Sequence, residues 1–403
     1  MSSNVVVIGG GAAGLAAALK ASEEKCDVTL IERDSDVGGV LNQCIHNGFG
    51  LDYFKKNLTG PEFKEKLKEK VLSKSNIKIK SGAFVHSVEK DKNIVFIDRN
   101  GVNNLKCDSL VITTGAKERP FTSLGISGKR LSGIYSAGLA QKFINMMNLR
   151  PGNSALIVGS GDIGLIMARR LTLEGVKVEG VIEIMPYPGG LQRNIKLCLE
   201  DFSIPLYLSR AVKYVDGDRR VNKIITTKVD DKFNHIGGDD ITFNVDTLVS
   251  SVGLVPNVKP FEFLEHSAGF STTNKNRTSE NWIFSAGNST VVFDLVDYVA
   301  QEGEKAGYMA ALQAKNDLSP AGKIKLLPGK NIGILYPSYI EKDYESKIYL
   351  RARQPMEKGV LLIPELGIEK EFEDIKPSEM IKIKVPAFDK NTDRIEVNLN
   401  ELK

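Results

Sequence analysis

The chain has 403 residues, more than one hydrophobic core comfortably serves, and a composition that is 42% hydrophobic and 26% charged, as in globular proteins and unlike disordered ones. Its formal charge of +4 comes from 54 basic and 50 acidic residues with no basic block, which argues against a nucleic-acid partner. The apolar run Val5 to Ile8 is one strand long and no later run approaches the ~20 apolar residues of a bilayer span, so neither a signal peptide nor a membrane span is expected and the expected address is cytoplasmic.

The chain opens as strand, turn, helix, strand: Val5 to Ile8, then Gly9-Gly10-Gly11-Ala12-Ala13-Gly14, an alanine-rich helix, and Val28 to Glu32. This is the dinucleotide-binding fingerprint in its required order. Gly9 permits a tight turn, Gly11 lets a pyrophosphate approach bare backbone, and Gly14 lets helix and strand pack closely. The N–H groups at the start of the helix and its partial positive charge suit phosphate. Glu32, 18 residues after Gly14, is placed to accept hydrogen bonds from a ribose diol.

The same pattern returns at Ala155 to Val158, Gly159-Ser160-Gly161-Asp162-Ile163-Gly164, a helix through Leu165 to Leu173, and Val178 to Glu183. Glu183 follows Gly164 by 19 residues and favours NAD over NADP, because a carboxylate repels a 2′-phosphate. Two complete fingerprints imply two dinucleotides bound at once, FAD and NAD(H), unless one copy of a duplication is dead. Further on, Lys228 to Ile241 reads as an exposed hairpin or loop. Beyond Ser319-Pro320-Ala321-Gly322, short strands are expected at 332–336, 347–353, 359–363 and 380–385, with alternation placing Lys382 and Lys384 on a wet face.

Four cysteines, Cys26, Cys44, Cys107 and Cys198, lie far apart with no C-x-x-C spacing, which argues against a zinc site, an iron–sulfur cluster or a redox dithiol. His86, His235 and His266 have no ligand spacing, and no metal is assigned. Asp294 and Asp297, three apart on an expected helix, share one side and suit a solvated or capping role better than acid–base pairing.

With these features the chain resembles the two-dinucleotide flavoprotein superfamily of disulfide reductases, NADH oxidases and peroxidases, and ferredoxin reductases, over about residues 1–315. Arg33 and Gly38-Gly39 look like the extension that wraps the FAD diphosphate. Leu110 to Ala116, with Thr114 and Gly115, looks like the motif that closes the FAD domain, and Leu248 to Asn257, with Gly253, like its counterpart on the way back. Trp282 to Asn288 looks like the segment that reaches the flavin ribityl chain through Gly287, with Asn288 where the usual aspartate stands. Val40 and Val85 are carried over as further cofactor contacts. The implied fold class is α/β, with an NAD domain (119–255) inserted into a split FAD domain (1–118 and 256–322) and a β-rich C-terminal domain (323–403).

More narrowly, Gly38 to Gly50 and Phe293 to Val299 resemble FAD/NAD-binding subunits of complexes that oxidise glycerol 3-phosphate, opines or secondary amino acids such as sarcosine and proline. The resemblance implies hydride transfer between NAD(H) and FAD, with a small-molecule substrate oxidised at a second flavoprotein subunit. Self-association is left open. Cys44, with His46 two residues away, is the catalytic candidate of an alternative reading as a stand-alone NADH oxidase or peroxidase that cycles a lone thiol through sulfenic acid. Packing is the favoured role for Cys44, since free cysteine is commonly buried and inert. A third reading is a flavin-holding assembly subunit with no activity alone.

Overall fold

The computed structural model describes residues 3–319, 322–389 and 392–402; Pro320 and Ala321, at the expected domain junction, lie outside them. The chain divides into two compact units, one made of Met1–Ala116 with Val255–Lys403 and one of Lys117–Leu254.

In the first unit, Asn4–Ile8 is the middle strand of a five-stranded parallel sheet, flanked by Ser109–Ile112 and Ile283–Ser285 on one side and Asp27–Ile31 and Ile77–Lys80 on the other. Its continuous apolar run follows from burial on both faces. Val5 and Val7 enter one core with the helices, while Val6 and Ile8 enter another beneath the meander Phe84–Val88, Asn93–Asp98 and Gly101–Lys106. The alanine-rich helix Ala12–Glu23 packs against the long helix Val296–Ala314. Their backbones come so close that a Cβ on Gly303 or Gly307 would strike the carbonyl of Ala13 or Ala17.

The second unit repeats the plan. Its parallel sheet runs Ile134–Ser136, Thr247–Ser250, Ser154–Val158, Lys177–Ile182, Leu206–Tyr207. Ala155 and Ile157 face the helices Ala137–Met147 and Asp162–Leu173, and Leu156 faces a four-stranded sheet that includes Arg210–Gly217 and Val221–Lys228. Val229 is buried, and residues 230–238 form an exposed loop before the strand Ile241–Phe243.

The C-terminal strands form a five-stranded sheet (Tyr339–Glu341, Lys323–Pro328, Arg394–Glu401, Met356–Ile363, Ile368–Ile375) and a three-stranded one (Ile332–Tyr336, Ser346–Ala352, Ile381–Val385). One apolar core, including Ile348, Leu361, Ile383 and Val397, serves both. Lys382 departs from expectation. Lys384 is exposed, but Lys382 is half-buried with its Nζ 4.4 Å from the Tyr298 ring centre, because that face of the small sheet is covered by the segment around Tyr298. Desolvation, then the neighbouring Lys347, lowers the Lys382 pKa.

Candidate functional site

Both glycine loops are built by the same three contacts. Gly9 has φ +99° and Gly159 has φ +97°, conformations that L side chains rarely adopt. Each donates its N–H, at 2.8 Å, to the last strand residue beside it, Ile31 or Ile182. Each also lies against the end of a third strand, where a Cβ would strike the carbonyl of Thr113 or of Ser251. Thr113 fastens this junction, its hydroxyl donating to the carbonyls of Ile8 (2.9 Å) and Gly9 (2.8 Å). A Cβ on Gly14 would strike the Gly9 carbonyl, and one on Gly164 the Gly159 carbonyl. A Cβ on Gly11 or Gly161 would meet nothing within 4 Å. The middle glycine of each loop therefore faces open space, which is the room a diphosphate needs.

The two acids do more than await a ribose. Glu32 is buried and accepts from the N–H of Gly10 (2.6 Å) and of Asp34 (2.8 Å). Glu183, also buried, accepts from Ser160 N–H (2.8 Å), Ser160 Oγ (2.6 Å) and Met185 N–H (3.0 Å). Each carboxylate thus braces its own loop, and with about four acceptor sites per carboxylate each retains capacity for a ribose hydroxyl. This bracing, and the part played by Thr113 and Ser251, sequence reasoning missed; an acid at a strand end after a glycine loop is the signal that carries it.

The first helix has no side-chain cap and no acid in its first turn, so the N–H groups of Ala12 and Ala13 stand at an uncompensated positive end. The second begins with Asp162, whose carboxylate accepts from Leu191 N–H (2.9 Å) and Asn194 Nδ2 (2.6 Å). Asp162 and Ile163 therefore have their backbone N–H groups to offer.

Around the first loop, Gly39 (φ +53°) lies so near Gly11 that its Cβ would sit 3.5 Å from the Gly11 Cα. Beside it Val40 is 61% exposed, an apolar side chain that a flat ring system could cover. Arg33 is exposed near Asp34. Thr114 Oγ1 donates to the Asn257 carbonyl (2.7 Å), and Gly115 (φ +67°) has open space at its Cβ position. Gly253 (φ +99°) has the same open space in the second unit. The Val85 side chain is buried in the core under the meander, so only its backbone can reach a ligand. Asn288 follows Gly287 (φ +73°) in a short 3-10 turn, and its Oδ1 accepts from Phe293 N–H at 3.1 Å.

The acids Asp294 and Asp297 correct the expectation made for them. Asp294 lies before the helix and pairs with Arg351. Asp297, on its first turn, is 2% exposed and accepts from the N–H groups of Gly50 (3.1 Å), Asp52 (2.9 Å) and Tyr53 (2.6 Å). It is a buried clasp on the loop that follows the Cys44-Ile45-His46 stretch, neither solvated nor sharing a helix face with Asp294.

All four cysteines are buried, and none is in a disulfide among the described residues. Burial pushes the Cys44 thiol up to about 12, the reverse of the activation a sulfenic-acid cycle needs. The His46 ring sits 5.0 Å from that of Phe49. Cys44→Ala is therefore expected to leave bleaching of the flavin by NADH largely intact and to remove no peroxide turnover; a collapse of peroxide turnover with bleaching intact would restore Cys44 as the nucleophile. Cys44 and Cys107, both raised to about 12 by burial, keep their protons in the folded chain while unfolded thiols ionise near 9.0. Their folded pKa values are raised, so the stability they contribute is complete below 9.0 and is lost as pH rises towards 12, visible as a falling denaturation midpoint.

Two dinucleotide cradles in one chain, with acids at both strand ends, define a flavoprotein that handles a nicotinamide nucleotide. The chain belongs to the pyridine nucleotide-disulphide oxidoreductase family, whose model matches residues 3–319, and is an FAD-dependent oxidoreductase that uses NAD(P)H. It is similar to one of the opine oxidase subunits of Agrobacterium tumefaciens (strain Ach5), 24% identical over 347 residues, 78% of this chain and 66% of that one. It is also similar to hydrogen cyanide synthase subunit HcnB of Pseudomonas protegens, 31% identical over 189 residues, 45% of this chain and 39% of that one. The chain spans 66% or less of the length of these curated relatives. Among solved structures, thioredoxin reductase of T. acidophilum shares the fold at TM-score 0.63 and 19% identity, covering 77% of this chain and 98% of that one. No helix among the described residues is long and apolar enough to cross a membrane.

Proposed function

We propose that this chain is the NADH-linked FAD subunit of a substrate dehydrogenase complex, exchanging hydride between NAD(H) and FAD while a small organic substrate is oxidised at a partner flavoprotein. The observation that carries the reading is the repeated cradle, open above Gly11 and above Gly161 and braced by Glu32 and Glu183. FAD supplies the electron relay and the nicotinamide the hydride. Gly9, Gly11, Ala12, Ala13, Gly14 and Gly39 hold the FAD diphosphate, Glu32 its ribose, and Thr114, Gly115, Gly287 and Asn288 the flavin side. In the other unit, Gly159, Gly161, Asp162, Ile163 and Gly164 hold the nicotinamide dinucleotide by backbone groups, with Glu183 on its ribose and Gly253 beside it.

A partner is supported by the two curated relatives, both named as subunits, and by four buried thiols that offer no dithiol relay of the chain's own. The Gly38–Gly50 and Phe293–Val299 strings support a partner substrate such as glycerol 3-phosphate, an opine or a secondary amino acid. The test is anaerobic stopped-flow absorbance in the oxidised-flavin band after mixing the purified chain with NADH and, separately, NADPH. Bleaching by NADH, and slower bleaching by NADPH, is expected, because Glu183 opposes a 2′-phosphate. Equal rates would overturn the nucleotide preference. A flavin that neither nucleotide reduces would overturn the hydride path and leave the assembly role standing.

A further inference from the structure

The segment between Asn288 and the helix Val296–Ala314 is gripped by the C-terminal strands at three consecutive residues. Arg351 Nη2 donates to the Val292 carbonyl (3.2 Å) and pairs with the Asp294 carboxylate, whose other oxygen accepts from Met380 N–H at 2.6 Å. Between these anchors the Phe293 ring makes edge contacts with Tyr336 and Tyr349, centres 5.6 and 5.2 Å apart. A second grip holds the helix itself. The buried Glu302 accepts from Tyr336 and Tyr349 hydroxyls (3.3 Å each) and from Asn276 Nδ2 (3.0 Å). Phe293 N–H in turn donates to Asn288 Oδ1 at 3.1 Å. A contact chain therefore runs from Arg351 through Asp294 and Phe293 to Asn288.

We propose that Arg351 is a positioning residue for the flavin: the C-terminal strands fix the loop 292–294 and, through it, the side chain of Asn288. The proposal rests on the reading that Gly287 and Asn288 contact FAD. Arg suits the task because the two N–H groups of Nη2 point in directions fixed by the planar guanidinium, one towards the Val292 carbonyl and one towards the Asp294 carboxylate, whereas the donors of an ammonium rotate freely on a flexible stem. Misplacing a cofactor-contacting group by a fraction of an ångström weakens both binding and reaction.

The experiment uses the full chain with Arg351→Met, Arg351→Lys and, as a packing control, Ile395→Val in the C-terminal core, which touches none of the loop contacts. Three readouts are taken: the FAD dissociation constant, the visible circular dichroism of the bound flavin, and its reduction rate by NADH. Arg351→Met is expected to weaken FAD on the order of tenfold and to alter the visible dichroism, with Arg351→Lys between it and the parent. Ile395→Val lowers the melting temperature and leaves the flavin signal alone. An unchanged dichroism and affinity in Arg351→Met overturns the proposal, as does an equal change in Ile395→Val. If Arg351→Met does not fold, Asp294→Asn, which keeps an acceptor for Met380, carries the same readouts. A parent chain that takes up no FAD overturns the underlying reading as well; a parent that binds FAD beside an unperturbed variant overturns only the positioning role.

Discussion

A Gly11→Val chain is expected to fold and to purify without yellow colour, whereas Gly161→Val purifies yellow and is no longer bleached by NADH. One asymmetry within each loop decides both outcomes. Gly11 and Gly161 have φ of −72° and −63°, ordinary for any residue, and nothing within 4 Å of a Cβ. Valine there costs the fold about 1 kcal/mol or less, as a poorer helix cap. The same branched side chain occupies the space a diphosphate needs. Overpacking of that kind costs about 3 kcal/mol, roughly a hundredfold in Kd. Gly14→Val and Gly164→Val are the contrast, since their Cβ atoms would strike the Gly9 and Gly159 carbonyls and damage the fold itself. The ratio of flavin to protein absorbance, the melting temperature and the rate of NADH bleaching separate these cases. Full flavin in folded Gly11→Val would remove the diphosphate from this loop. Normal bleaching of Gly161→Val would remove the nicotinamide nucleotide from the second.

Both loops could be read in advance because their signal is local: glycines at fixed offsets, one strand behind and one helix ahead. Two short strands of the C-terminal part, Ile332–Tyr336 and Ile381–Val385, were legible for a similar reason, as apolar residues alternate or cluster over one strand length. What escaped was everything set by a distant partner. Lys382 looks wet by alternation, and only the arrival of Tyr298 from the other end of the unit covers it. Asp297 looks like a solvated helix acid, yet it is spent on three N–H groups far earlier in the chain, at Gly50, Asp52 and Tyr53. Cys44 reads in sequence more readily as a packing residue than as a nucleophile, but its neighbours there do not reveal the burial that keeps it protonated. The polar octet Ser271 to Thr278 carries no hydrophobic pattern at all, yet every one of its residues is buried, at 8% exposure or less.

That octet makes Glu341→Gln the most damaging isosteric change expected in the chain. Glu341 is 0% exposed and stands between two cations of the octet, with its Oε2 3.2 Å from Lys275 Nζ and its Oε1 3.5 Å from Arg277 Nε. Thr273 Oγ1 donates to the same carboxylate at 2.8 Å, and Asn274 bonds the Glu341 backbone on both sides, at 2.8 and 3.0 Å. Glutamine preserves the volume but removes the only charge that Arg277, itself 2% exposed, has as an ion-pair partner among the described residues. Lys275 retains Asp343, a carboxylate 59% exposed to water. A buried cation stripped of its partner costs about 3–5 kcal/mol, whereas an exposed pair such as Lys358–Glu373 is worth about 1 kcal/mol or less. Urea titration of Glu341→Gln against Lys358→Ala compares the two directly, at unchanged denaturant slope. A loss below about 1 kcal/mol for Glu341→Gln would mean that water, and not the carboxylate, compensates these cations. The location gives the loss a second consequence. Glu341 joins the octet, which leads into the strand before Gly287 and Asn288, to the same C-terminal strands that carry Arg351. Flavin release should therefore accompany the unfolding of those strands in Glu341→Gln, at a urea concentration below that of the parent, because the grip on residues 292–294 is lost with them.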